Sequence, residues 1–277
     1  MNDQPMNPVD TAKIPGGVSR FLSAGTMLDV VRFELTRSMT ASRIAIWCVL
    51  VLFPVMIIGL LRVQITVEQI DPWGLATYFL IPEVLCLLGL LLWATPAVST
   101  ELEGQTWIHL AMRPGGRTTV LLGKYVTAVA WTFSAAVVSL TVCTILIGNA
   151  AGVSFWLVLA GLALLSCVAH GALYVLIGVL FYRRTMVAAV IYTLVVEFGL
   201  SFVPAVVNRL TINYRLRGLL AEGTDWRGVR SLAEATLGIE PMHHHLIALT
   251  LVTTTFLAAA AWRVRAAEFP TQADGGA

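Results

Sequence analysis

Apolar residues in this chain are gathered into long unbroken runs. They are not spaced at the 3.6-residue period of a half-exposed helix or the two-residue period of a strand. The first run covers about Ile44 to Leu61 and is bracketed by Arg43 and Arg62. Others cover about Thr77 to Val98, Val120 to Ile147, Phe155 to Phe181, Met186 to Val203 and Leu246 to Ala261. A helix of roughly 18 or more apolar residues reaches across a hydrocarbon layer ~30 Å thick. Lipid offers backbone amides no partners, so each run is expected to be helical. The pattern predicts an all-α integral membrane protein of six transmembrane helices.

Composition agrees with the pattern. Hydrophobic residues make up 57% of the 277 positions and charged residues 12%, about half the charged share of a soluble domain. Mean hydropathy is +0.81. The net charge of +2 is too small to point to nucleic acid. Cys48, Cys86, Cys143 and Cys167 all fall inside apolar runs without Cys-x-x-Cys spacing, so neither a disulfide framework nor a zinc site is indicated. The apolar runs begin only after a polar leader, and no cleavable signal peptide is expected.

Residues 1–25 read as a disordered cytosolic leader, because its first nineteen positions are rich in Asn, Asp, Pro and Gly. From Thr26 to Arg37 a short amphipathic helix is expected. Met27, Leu28, Val30, Val31 and Leu35 share one arc, and Asp29, Arg32 and Thr36 lie opposite. Glu34 interrupts the apolar arc. Such a segment, ending in Arg37 just before a span, suits the membrane interface; the plainer alternative is a helix in the cytosol. Orientation follows the basic residues. With both termini inside, the cytosolic side carries 12 Lys and Arg against 6 outside, and five of those six lie in one segment, 204–245. Residues 266–277 would form a cytosolic tail.

The inner loop after the second run is the most informative stretch. Thr100 with Glu103 makes a capping-box pattern that starts a helix, and Pro114-Gly115-Gly116 ends it. Gly104, Trp107, Ile108, Ala111 and Met112 occupy one face of that helix, and Gln105, His109 and Arg113 another. A short, capped, two-faced helix on the cytosolic side is suited to docking into a second protein, unless it packs under its own bundle.

The run Thr95-Pro96-Ala97-Val98-Ser99-Thr100-Glu101-Leu102-Glu103-Gly104-Gln105-Thr106, then Leu110, Arg113-Pro114, Arg117 and Gly123-Lys124-Tyr125, resembles the ABC-2 type of ABC transporter permease. Gly-Gln-Thr stands here where Gly-Thr is usual in that family. The motif covers about thirty residues, whereas the plan of leader helix, six spans and a polar segment before the last covers most of the chain. The resemblance implies the transmembrane subunit of an exporter in the cell (inner) membrane. A coupling helix carrying Thr100, Glu101, Glu103, Gly104, Thr106, Trp107, Leu110 and Arg113 would seat in a separate ATPase subunit. It further implies an interfacial helix at Met27 to Arg37, with Asp29, Arg32, Glu34 and Arg37. Residues 204–245 would be extracellular, partly re-entrant helices. A second permease copy or a similar chain, and membrane lipid, would be the other partners.

The chain itself lacks a P-loop. Gly123-Lys124 is its only Gly-Lys pair, Tyr125 follows where Ser or Thr is needed, and Thr118 stands where the first Gly belongs. No cofactor is therefore expected in this chain; ATP and Mg would sit in the partner, and no enzymatic activity is assigned here. Ionisable residues inside spans are costly and mark functional candidates. Glu83 and Glu197 are candidates for the translocation path, in competition with interhelical hydrogen bonding or a protonated structural carboxyl. His170 reads as structural. His243, His244 and His245 are adjacent and cannot all face one metal ion, so no metal site is expected. Trp47, Trp73, Trp93, Trp156 and Trp262 fall near run ends, where indoles anchor helices in the interface. A secondary transporter or membrane scaffold is the main alternative, and an intramembrane enzyme a weaker one. Neither His-Glu-x-x-His nor Gly-x-Ser-x-Gly occurs.

Overall fold

The computed structural model describes residues 24–64, 70–97, 99, 116–148, 152–200, 208–209, 211–224, 226 and 240–266. These form helices α1 (Ala24–Ser38), α2 (Ala41–Gln64), α3 (Ile70–Tyr78), α4 (Cys86–Trp93), α5 (Gly116–Ile147), α6 (Val153–Leu180), α7 (Thr185–Tyr192), α8 (Ile212–Gly223) and α9 (Met242–Ala266). A π-helical segment, Phe79–Leu85, joins α3 to α4, and a second, Thr193–Gly199, extends α7. Among the described residues no strand is present.

Five helical rods are long and apolar enough to cross a membrane: Ala41–Gln64, Ile70–Ala97, Gly116–Ile147, Val153–Leu180 and Met242–Ala266. This architecture is compatible with a multi-pass membrane protein. Five of the six expected spans thus coincide with such rods. The expected span at 186–203 corresponds to Thr185–Gly199, roughly 22 Å at 1.5 Å per residue and shorter than a ~30 Å core. The coupling-helix residues Thr100, Glu101, Glu103, Gly104, Thr106, Trp107, Leu110 and Arg113 lie outside the described residues, as does most of the leader.

Helix α6 is the axis of the bundle. The most apolar stretch of α6 is 78% buried, against 22% for the corresponding stretches of α2 and α9. It touches α4, α5, α8 and α9, while α2 and α1 both lie along α5. The buried surface of α6 is rich in small residues, including Ala160, Ala163, Ala169, Gly171 and Ala172. Small residues let backbones approach closely, which is how helices associate where no hydrophobic force separates them from solvent. Leu52, Met56 and Leu60 on α2, and Ile247 and Leu251 on α9, are exposed, which is compatible with perimeter helices that face lipid.

Two expectations about single residues change. Trp73 is buried with the Arg62 guanidinium 5.6 Å from its ring; it is a packing residue, whereas Trp262 is exposed. Glu34, the flaw in the α1 pattern, is partly buried and pairs with Lys124 of α5 at 3.5 Å. The apolar arc is interrupted where it meets a cation.

Candidate functional site

Both glutamates of the apolar runs occupy the same kind of backbone. Glu83 is the fifth residue of Phe79–Leu85, and Glu197 the fifth of Thr193–Gly199. In the first segment Pro82 lacks an N–H and cannot close the ordinary helical bond; Cys86 N–H then donates to Ile81 O, five residues back. In the second, Leu200 N–H donates to Val195 O in the same five-residue pattern. Such bulges insert one residue and re-aim the side chains that follow, and they recur at functional sites.

Helix α8 brings the two acids together. Thr211 caps it, its hydroxyl accepting from Tyr214 N–H at 3.3 Å. Ile212, Leu216, Leu219 and Leu220 bury one face against α6 and α9. The contact with α9 is close because Gly218 has no Cβ; one there would collide with the His245 ring. Thus seated, α8 presents Asn213 and Arg217, one turn apart, to the glutamates. Arg217 donates from Nε to Glu83 Oε1 at 2.6 Å and from Nη2 to Oε2 at 2.9 Å. The planar fork matches the carboxylate and fixes its orientation as well as its charge. Asn213 N–H donates to Glu197 Oε2 at 3.2 Å, and its side-chain amide donates to Glu197 O at 3.3 Å.

The circuit closes through α6. Glu197 Oε2 lies 3.6 Å from His170 Nε2, and both side chains are fully buried. His170 Nδ1 lies 3.1 Å from both the hydroxyl and the carbonyl of Ser166. Ser166 in turn donates to Pro82 O at 2.6 Å, the residue next to Glu83. Glu83, Arg217, Asn213, Glu197, His170, Ser166 and Pro82 therefore form one ring across four elements. Tyr192 hydroxyl also donates to Glu197 Oε1 at 3.3 Å.

Glu83, Glu197 and His170 were legible in the sequence as buried ionisable groups. Asn213, Arg217 and Ser166 were not. The missed signal is the α8 pattern inside the polar segment 204–245: a Thr cap followed by Ile212, Leu216, Leu219 and Leu220 at i, i+4, i+7 and i+8. Of the arginines in that segment, Arg215 and Arg209 reach Glu240 at 2.6 and 3.6 Å. Among the described residues no group of three His, Cys, Asp or Glu side chains converges as a metal site. His245 turns inward against α8, while His243 and His244 are exposed.

The interfacial-helix residues form a second cluster. Arg32 and Arg37 are exposed and Glu34 faces α5; Asp29 lies on α1. Ser38 accepts from Trp131 Nε1 of α5 at 2.7 Å. A Cβ on Gly123 would stand 2.6 Å from Val30 Cγ1. Gly123 and Lys124 together are the seat of α1: one makes room for Val30, the other pairs with Glu34.

No protein-family model matches this chain, and no curated protein does either.

Proposed function

We propose that this chain is the transmembrane subunit of an ATP-driven exporter of the ABC-2 type. It provides the translocation path and couples to a separate ATPase subunit. The observation that carries this reading is the seat of α1. Gly123-Lys124 belongs to the motif that resembles the family, and both residues hold an amphipathic helix against the start of α5. The loop proposed to dock on the ATPase ends where α5 begins, at Gly116. A displacement of that loop would thus pass directly into α5 and, through the Gly123 and Lys124 contacts, into α1. The buried α8 before the last span supports the same plan.

In this reading the subunit works as a homodimer or with a similar chain, in the cell (inner) membrane, with both termini cytosolic. Its six membrane crossings include the short rod Thr185–Gly199 and the segment after it. Hydrolysis of ATP, with its Mg, takes place in the partner.

Affinity purification of the chain from its native membrane tests the proposal, with Gly104→Trp as the paired variant. The expected result is recovery of an ABC ATPase with the wild type and loss of its docking or its activity with the variant. A chain that functions and elutes with no nucleotide-binding partner overturns the reading in favour of a carrier or scaffold.

A further inference from the structure

The ring leaves one position undefined, and the chemistry of its neighbours fills it. Ser166 has a single hydroxyl proton, and Pro82 O takes it at 2.6 Å. Ser166 therefore offers His170 Nδ1 only lone pairs, from its hydroxyl and from its carbonyl, each at 3.1 Å. Nδ1 must carry the proton of that contact. In a neutral imidazole this leaves Nε2 bare. Nε2 is buried, has no hydrogen-bond partner among the described residues, and faces Glu197 Oε2 at 3.6 Å.

If Glu197 were ionised beside a neutral His170, a lone pair would face an anion in a fully buried site. The Glu83–Arg217 pair is neutral in itself and supplies no spare charge. One added proton removes both problems. It sits either on His170, making an imidazolium–carboxylate pair, or on Glu197, as a neutral carboxylic acid facing Nε2.

We propose that Glu197 and His170 form a proton-binding site that holds one proton, on one group or the other, while α8 is seated. The groups around it come from every neighbouring element. They are Tyr78 and Glu83 from the second rod, Tyr174 from α6, Tyr192 from α7 and Arg217 from α8. Tyr174 is engaged with Thr193 at 2.6 Å, and His245 meets Gly218 and Tyr214 of α8. Tyr125 of α5 donates to Val168 O at 3.0 Å. The Asn213 N–H and the Tyr192 hydroxyl are further donors to Glu197, and the first of them comes from α8.

The test is nitrogen-15 NMR of the histidine-labelled full chain in lipid nanodiscs, with the carboxyl infrared band recorded on the same samples from about pH 5 to 9. His170→Gln assigns the imidazole signal. Near neutral pH the expected result is an imidazolium beside a carboxylate, or a neutral imidazole beside a protonated carboxyl. As pH rises, the pair loses its proton in one step in the wild type, seen at whichever group carries it, and Glu197→Gln moves the His170 midpoint. A bare Nε2 beside an ionised carboxylate near neutral pH overturns the proposal in the wild type alone. A His170 titration unchanged by Glu197→Gln overturns it as well.

Discussion

Glu83 and Glu197 share a backbone and differ in their partners. Each is fifth in a seven-residue π-helical segment, each is buried, and each is bound by α8. Glu83 meets a guanidinium, which keeps its charge at every accessible pH, in a two-point contact. Glu197 meets an imidazole, whose charge is conditional, at a distance that allows an ion pair but not a direct hydrogen bond. The same device thus makes a fixed clamp at one acid and a protonation-dependent contact at the other. What separates them is the choice of Arg217 on α8 against His170 on α6.

Breaking the fixed clamp carries the largest expected effect. Arg217→Met leaves Glu83 buried without its cation, and removing one partner of a buried pair costs about 3–5 kcal/mol. The double variant Glu83→Gln/Arg217→Met should recover most of that loss. Denaturant or thermal unfolding in detergent measures both; additive losses would show that the two side chains do not act as a pair.

His170→Leu sharpens the comparison at the other acid. It leaves Glu197 without its imidazole, beside the α8 backbone N–H groups and the Tyr192 hydroxyl, an expected loss of about 1–3 kcal/mol near neutral pH. The loss should shrink as pH falls, because protonating Glu197 removes the uncompensated charge. A loss independent of pH would make His170 a packing residue only.

The smallest effect lies outside the apolar rods, at Glu240, which anchors α8 through Arg215. Partial burial pushes its carboxyl up, but the hydrogen bond and charge of Arg215, then the charge of Arg209, hold it below the ordinary value of 4.5. A folded value below the unfolded one means the contribution is complete above that ordinary value. It is then lost as pH falls through the lowered folded value. Stability of Glu240→Gln followed against pH should therefore lie below the wild type near neutrality and converge with it in acid. Parallel curves down to the acid limit would remove Glu240 from the anchoring of α8.

Much of the fold could be read from runs of apolar residues, since in lipid length and apolarity alone decide which segments cross. Glu83 and Glu197 stood out for the same reason: a carboxylate in such a run is costly, so its presence is informative. The α8 helix did not stand out. Its nine residues from Ile212 to Leu220 hold two arginines, an asparagine and a glycine, and average hydropathy hides a four-residue apolar stripe. The π-helical segments gave little warning either. Pro82 marks the first, but the sequence Thr193–Gly199 contains no proline.

The sequence by itself determined the material of this protein: apolar helices, an amphipathic helix before them, and two acids in apolar surroundings. These are properties of consecutive residues, and local physics reads them. Only the tertiary structure decided that Arg217 reaches Glu83 across 134 positions, that Glu34 belongs with Lys124, and that His170 faces Glu197. Pairings of this kind depend on which helix faces touch. A single bulge residue rotates every side chain after it, so no count along the chain can supply them.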